Sequence, residues 1–65
     1  MKIGDQIASA RKEAGMTQRE LAARLDCTLA TVANLERGRS HPSSKRLEAI
    51  AQALNTTFTI GSPNG

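Results

Sequence analysis

Apolar residues recur along this chain at the three- and four-residue spacing that places side chains on one face of a helix. The first series predicts a helix from about Lys2 to Ala14, and Gly15 has the conformational freedom needed to end it. The last series predicts a helix that follows Ser43 and ends at Asn55. The apolar positions of these two helices are Ile3, Ile7, Ala10 and Ala14 in the first, and Leu47, Ile50, Ala51 and Leu54 in the last.

Two short helices are predicted between them, each marked by a residue that caps a helix N-terminus. Thr17 and Glu20 have the spacing of a capping box, in which each side chain accepts a hydrogen bond from the backbone amide of the other. This second helix ends at about Leu25. Thr28 offers the next cap, so a third helix runs from about Leu29 to Arg37.

The turn between the second and third helices contains Asp26 and Cys27. Asp is among the few non-glycine residues that tolerate positive φ. A nucleophilic cysteine would need a neighbouring base or cation, whereas a small buried apolar residue needs neither. We therefore interpret Cys27 as part of the core.

The hydrophobic pattern changes after Asn55, because polar and apolar residues then alternate and are rich in β-branched types. This alternation predicts a short strand, and a lone strand cannot satisfy its own backbone groups. We predict that it pairs antiparallel with the same strand of a two-fold related copy. The predicted dimer interface is Thr57, Phe58, Thr59 and Ile60. The alternative is that Phe58 and Ile60 fold back onto the helices of their own chain.

These elements predict an all-α fold, a compact four-helix domain over residues 1–55, followed by a dimerisation strand over 56–60 and a tail over 61–65. A chain of 65 residues has a small core, and its one cysteine excludes an intrachain disulfide. No cysteine and histidine have the spacing of a zinc site, so neither a metal nor a cofactor is predicted. No apolar segment resembles a signal peptide or a membrane span, which predicts a cytoplasmic protein.

The charge distribution favours an anionic partner. The formal net charge is +3, and the segment from Arg37 to Arg46 holds four cations and no acid. A solvated basic loop is the alternative interpretation. Because Phe58 is the only aromatic residue, the chain is poorly suited to bind single-stranded nucleic acid by stacking on its bases. No enzyme is predicted, because His41 is isolated in a loop and no catalytic triad or Gly-rich phosphate loop is present.

Three segments, TQRELAARL, TLATVANLERGR and LEAIAQALN, resemble the Cro/C1-type helix-turn-helix proteins of the XRE family over roughly residues 3–55. The family pattern is T-Q-x-E-L-A, a turn, a capped recognition helix and E-x-G. Asp26 departs from it, since the family usually has glycine there. The resemblance implies a lambda-repressor-like domain whose third helix enters the major groove of DNA.

The resemblance also implies which residues form the site. Asn34 is suited to adenine and Leu29 or Ala30 to a thymine methyl group, although these positions can also be ordinary surface. The implied base contacts are Leu29, Ala30, Ala33 and Asn34. The phosphate contacts, which helix N-termini and cations also favour on physical grounds, are Gln18, Thr28, Arg37, Arg39, Ser43, Lys45 and Arg46. Arg11 and Glu36 are implied to form a structural ion pair.

We therefore predict a sequence-specific regulator of transcription, most simply a repressor that binds a palindromic operator in double-stranded DNA as a homodimer. The strand-like ending resembles that of HipB-type antitoxins, so a second hypothesis is a protein-interaction module that neutralises a toxin and represses its own operon. A third hypothesis is a restriction-modification controller. Co-purification of a stoichiometric second protein would favour the antitoxin hypothesis.

Overall fold

The computed structural model describes residues 2–58, and the predicted four-helix architecture is confirmed within that range. The helices are α1 (Ile3–Glu13), α2 (Gln18–Leu25), α3 (Leu29–Arg37) and α4 (Ser44–Leu54). α3 packs against both α1 and α2, while α4 packs against α2 and α1. α3 therefore takes its position from the two helices that precede it.

One hydrophobic core joins all four helices. Its fully buried members include Ile7 of α1, Leu21 of α2, Val32 of α3 and Ile50 of α4. Burying each such side chain contributes roughly 1.5–3 kcal/mol, so a core of this size stabilises the domain only modestly. Ala14, which was predicted on the apolar face of the first helix, is instead exposed just after α1 ends. The buried apolar residues are Ile7, Leu21, Ala22, Val32, Leu35, Leu47, Ile50 and Leu54.

The helix ends follow the local sequence signals. The side chains of Thr28 and Ser43 each accept a hydrogen bond from a backbone amide of the helix that follows. Asp26 and Asn55 adopt the left-handed conformation at the ends of α2 and α4, with φ of 56° and 54°. Short side-chain carbonyl groups make this conformation tolerable for Asp and Asn. These ends give α2, α3 and α4 their short, defined lengths.

A close approach of α1 to α3 occurs at Gly4, a residue that the hydrophobic pattern does not single out. Gly4 is buried, and a Cβ added to it would lie 2.6 Å from the carbonyl oxygen of Leu35 and 2.8 Å from that of Glu36. Both obstacles are backbone atoms. Glycine is therefore required here by the packing of two helices, although it has the lowest helix propensity of any residue except proline.

The predicted C-terminal strand is not seen in the part of the chain that the structure describes. Residues 56–58 have no regular secondary structure, and Phe58 lies half-buried against the core, next to residues of α1 and α4. For Phe58, this placement agrees with the alternative in which Phe58 and Ile60 fold back onto the helices of their own chain. Thr59 and Ile60, the other half of the predicted strand, lie outside the described residues, and so does the tail over 61–65.

Candidate nucleic-acid interface

The orientation of α3 separates a buried face from an outward face. Val32 and Leu35 are buried in the core. Of the four residues predicted to contact bases, Leu29 and Ala30 are exposed, whereas Ala33 and Asn34 are half-buried. Their positions in the helix differ by one, four and five residues, which places them on one side of α3. The structure therefore brings the four predicted base-contacting residues onto a single accessible face.

The turn that precedes α3 sets its angle to α2. After Leu25 the chain reverses through Asp26, whose amide donates to the carbonyl of Ala23 at 3.2 Å, while the amide of Cys27 donates to that of Ala22 at 3.0 Å. These two bonds are those of a left-handed helix end, which satisfies carbonyl groups that would otherwise lack partners. Cys27 is half-buried against the core, as expected for a structural residue.

Arg11 and Glu36, which the resemblance pairs, lie in direct contact between α1 and α3. Nε of Arg11 donates to Oε2 of Glu36 at 2.6 Å, and Nη2 donates to Oε1 at 3.2 Å. The two side chains are only 11% and 7% exposed. Nη1 of Arg11 also donates to the carbonyl of Met16 at 2.8 Å, in the segment between α1 and α2. One guanidinium therefore joins α1 to α3 and to the chain that leads into α2.

Gln18 is the third member of this cluster. The sequence analysis predicted for Gln18 only a contact with the DNA backbone. Its Nε2 donates to Oε1 of Glu36 at 2.9 Å. Because a carboxylate only accepts hydrogen bonds, this contact fixes which end of the Gln18 amide faces Glu36. The first residue of α2 is thus tied to the end of α3. The sequence gives no local signal for this bond, because 18 residues separate the two partners.

The predicted phosphate-contacting residues fall into separate groups. Ser43, Lys45 and Arg46 lie beside Leu25 along a depression of about 310 Å³, where the start of α4 meets the end of α2. Arg37 lies in a different groove, of about 450 Å³, together with Lys2 and His41. Arg37 therefore lines a different surface depression from Lys45 and Arg46.

The remaining residues predicted at phosphates lie at the ends of α3. Oγ1 of Thr28 accepts the amide of Thr31 at 3.2 Å and lies 2.9 Å from the Thr31 hydroxyl oxygen. Arg39 is exposed beyond the end of the helix. Apart from the Arg11 pair, no salt bridge occurs among residues 2–58, so within that range no acidic group pairs with Arg37, Arg39, Lys45 or Arg46. Unpaired cations on a surface are available to an anionic partner.

The capping box of α2 carries the one carboxyl group whose titration is clearly altered in the described residues. The backbone amide of Thr17 donates to Oε1 of Glu20 at 2.8 Å, and Oγ1 of Thr17 accepts the amide of Glu20 at 3.0 Å. The pKa of Glu20 is lowered, first by the backbone hydrogen bond from Thr17 and then by the Thr17 side chain. The ionised form is therefore the one that holds the start of α2.

Other kinds of site find no support in the described part of the chain. Residues 2–58 contain no group of three or more His, Cys, Asp or Glu side chains placed to hold a metal ion. None of the helices there has the length and apolar character needed to cross a membrane.

A family model described as Helix-turn-helix matches residues 7–60, which include most of the four helices. The chain belongs to this XRE-type helix-turn-helix family. The expectation drawn from the TQRELAARL and TLATVANLERGR segments is therefore confirmed at the level of the family. The HipB-type ending that the sequence suggested is not shown.

Among curated proteins, the chain is similar to the immunity repressor protein of Bacillus phage phi105. The two are 41% identical over 54 residues, which is 83% of this chain but only 38% of the repressor. The chain also spans about half the length, 52%, of another curated relative, the transcriptional regulator ClgR of Mycobacterium tuberculosis. The similarity therefore concerns the helix-turn-helix domain of longer regulators.

Two solved structures share the fold closely. The clp gene regulator ClgR from Corynebacterium glutamicum has a TM-score of 0.83 and 34% identity, covering 86% of this chain and 72% of that one. SinR, described as the master regulator for biofilm formation and solved in complex with DNA, has a TM-score of 0.79 and 30% identity, covering 86% of this chain and 90% of that one. The four-helix arrangement is thus shared with regulators of gene expression.

Proposed function

We propose that this chain binds double-stranded DNA as the recognition domain of a transcriptional regulator, most simply a repressor. The observation that carries the proposal is the outward face of α3, where four residues remain accessible on a helix whose other side is anchored in the core. A helix in this setting has the dimensions to enter a major groove. The relatives that are named as a repressor and as regulators support the same role.

The proposed interface contains two kinds of contact, one to base edges and one to phosphates. Asn34 reads a base edge. Within residues 2–58 its side-chain amide makes no hydrogen bond that DNA binding would have to break. Thr28 and Ser43 bring the N-termini of α3 and α4 to the phosphates, while Arg39 and Lys45 add charge. The helix N-termini and cations set the position of the domain, and the outward face of α3 supplies sequence preference.

The binding unit in this proposal is a homodimer on a palindromic operator. Two recognition helices related by a two-fold axis reach successive major grooves when they lie about 34 Å apart. The interface predicted from sequence, Thr57 to Ile60, stays a prediction. Sedimentation of the intact chain and of a variant that lacks residues 57–65 tests it: a truncated protein that remains dimeric would exclude this segment as the interface.

The decisive experiment measures affinity for duplex DNA against salt concentration. Each neutralised phosphate contributes a slope of about 0.9 in log K against log salt. Lys45→Ala and Arg39→Ala should each weaken binding to all duplexes and reduce the slope by about one. Lys12→Ala is the matched control, because Lys12 is also exposed but lies on α1, outside the proposed interface.

The result that would overturn the proposal is equally clear. An intact, folded protein that binds neither specific nor random duplexes at low salt would exclude DNA as the partner. Equal effects of the Lys12 and Lys45 variants would show that net charge, rather than the proposed surface, controls the affinity.

A further inference from the structure

Leu29, the first residue of α3, is unusual for its exposure. It is 39% exposed, and no other large apolar side chain is exposed among residues 2–58. Single exposed apolar residues are common on proteins. This one, however, lies at the N-terminal end of the helix that the proposed function places in the major groove, where recognition helices contact bases.

The residues beside Leu29 extend the same chemistry. Ala30 is exposed and Ala33 is half-buried, and with Leu29 they form a small alkyl surface on the outward side of α3. No charged residue occurs from Cys27 to Leu35. Asn34, beside this surface, is the only one of the four predicted base-contacting residues whose side chain can form hydrogen bonds. The alkyl surface is therefore defined by Leu29, Ala30 and Ala33.

An alkyl surface cannot read the hydrogen-bonding groups that distinguish most base edges. In the major groove the apolar group is the methyl on C5 of thymine. A cytosine methylated on C5 carries the same methyl at the same ring position. We propose that the alkyl surface reads C5-methyl groups of pyrimidines, so the operator contains methylated pyrimidines, thymine or 5-methylcytosine, opposite Leu29. This inference rests on the proposed DNA-binding function and names what that site recognises.

The size and surroundings of the alkyl surface favour a base edge over a protein partner. A stable protein interface buries about 800 Å² on each side, far more than one leucine and two alanines offer. Arg37, at the far end of the outward face, and Arg39 beyond it lack acidic partners among the described residues. Charges of this sign beside an alkyl surface suit the phosphates that flank a base edge.

The experiment begins with duplexes selected by the intact protein from a random pool. Each thymine of the selected site is then replaced by deoxyuridine, which removes only the C5-methyl group. We expect affinity to fall about fourfold at each thymine that the alkyl surface contacts, and to change little elsewhere. Replacing such a thymine–adenine pair by 5-methylcytosine–guanine should weaken binding less than replacing it by cytosine–guanine.

Two variants assign the effect to Leu29. Leu29→Asn has a similar size but lacks the alkyl surface, so its thymine-to-uracil affinity ratio should approach one at the contacted position. Leu29→Met keeps apolar bulk and should retain the ratio. The exposure of Leu29 predicts an unchanged melting temperature for both variants.

The failures of the two proposals are distinguishable. Selected duplexes that bind equally with thymine and with uracil would overturn methyl recognition while leaving DNA binding intact. A Leu29→Asn variant with unchanged affinity and an unchanged ratio would also overturn it, and would make a protein contact the better explanation of the exposed leucine. An intact protein that selects no duplex would overturn both proposals.

Discussion

The α3 helix presents one face to α1 and α2 and another to solvent, and the two faces differ in how many of their polar groups have partners. On the inward side, Glu36 receives three hydrogen bonds, two from Arg11 and one from Gln18. On the outward side, the side-chain amide of Asn34 makes none within the described residues, and Leu29 is exposed. The inward face therefore controls stability and orientation, while the outward face is open to a ligand.

A network of polar groups formed by Arg11, Gln18 and Glu36 lies beside the small core. A buried ion pair contributes little net stability compared with an apolar replacement, but losing one partner strands the other. Arg11 contacts α3 and the segment before α2 at once, so it fixes geometry that apolar contacts alone leave adjustable. We infer that these directional bonds, together with the buried apolar side chains of α3, set its orientation.

The largest effect is expected from Glu36→Ala, which leaves the buried guanidinium of Arg11 without its carboxylate. We expect the free energy of unfolding to fall by an amount on the order of 3 kcal/mol. Denaturant unfolding of the variant measures this change. Glu48→Ala, which removes an exposed carboxylate from α4, is the control. An unchanged midpoint for the Glu36 variant would show that the pair does not hold α3.

Gly4→Ala tests the steric side of the same face and should lower stability by about 2 kcal/mol, because the new Cβ meets two backbone carbonyl groups. At an open helical position the same substitution raises stability by up to about 1 kcal/mol, so even the sign of the effect is informative. Thermal unfolding measures it. Ser9→Ala, on the exposed side of α1, serves as the comparison. A stabilised Gly4 variant would contradict the close approach.

Asn34→Ala, on the outward face, should alter DNA preference while leaving stability nearly unchanged. We expect unfolding to change by no more than about 0.5 kcal/mol, because the Asn34 amide has no partner to lose. Preference for a selected duplex over a random one should fall by about 1–3 kcal/mol. Competition binding with the two duplexes measures the preference. Equal losses on both duplexes would remove Asn34 from the set of reading residues.

Asp26→Gly tests the turn that connects α2 to α3. Because Asp26 has a φ of 56°, glycine should relieve a small strain and raise stability by about 0.5 kcal/mol. Gly38→Ala, at a φ of 80° with open space around it, should change stability in the opposite direction. Melting temperatures of both variants test the pair. A destabilised Asp26→Gly would indicate that the carboxylate has a role beyond tolerating the turn.

The smallest effect concerns pH and the exposed capping box of α2. The pKa of Glu20 lies below its ordinary value of 4.5 in the folded protein, so its contribution is complete above that pH and is lost as pH falls through the lowered value. Glu20→Gln should therefore melt slightly below the parent protein at pH 7, and the difference should shrink as the pH falls below 4.5. A difference that is constant with pH would show that ionisation of Glu20 does not support the cap.

Local signals in the sequence were sufficient for the helices and for the family. The Thr17 capping box, the Thr28 and Ser43 caps and the positive φ of Asp26 are each encoded within a few residues, and the structure contains all of them. The strand expected after Asn55 was not found in residues 56–58, and its pairing with a second copy, which also involves Thr59 and Ile60 outside the described residues, stays a prediction. Phe58 packs against the core of its own chain.

By itself, then, the sequence determined the four helices, their ends, the helix-turn-helix pattern and the outward residues of α3, since all of these follow from spacing within one or two turns of helix. Only the tertiary structure decided that Gly4 must lack a side chain and that Gln18 bonds to Glu36. Both depend on the distance and angle between helices that are far apart in the chain. Local propensity carries no information about such contacts, because they exist only after the helices have packed.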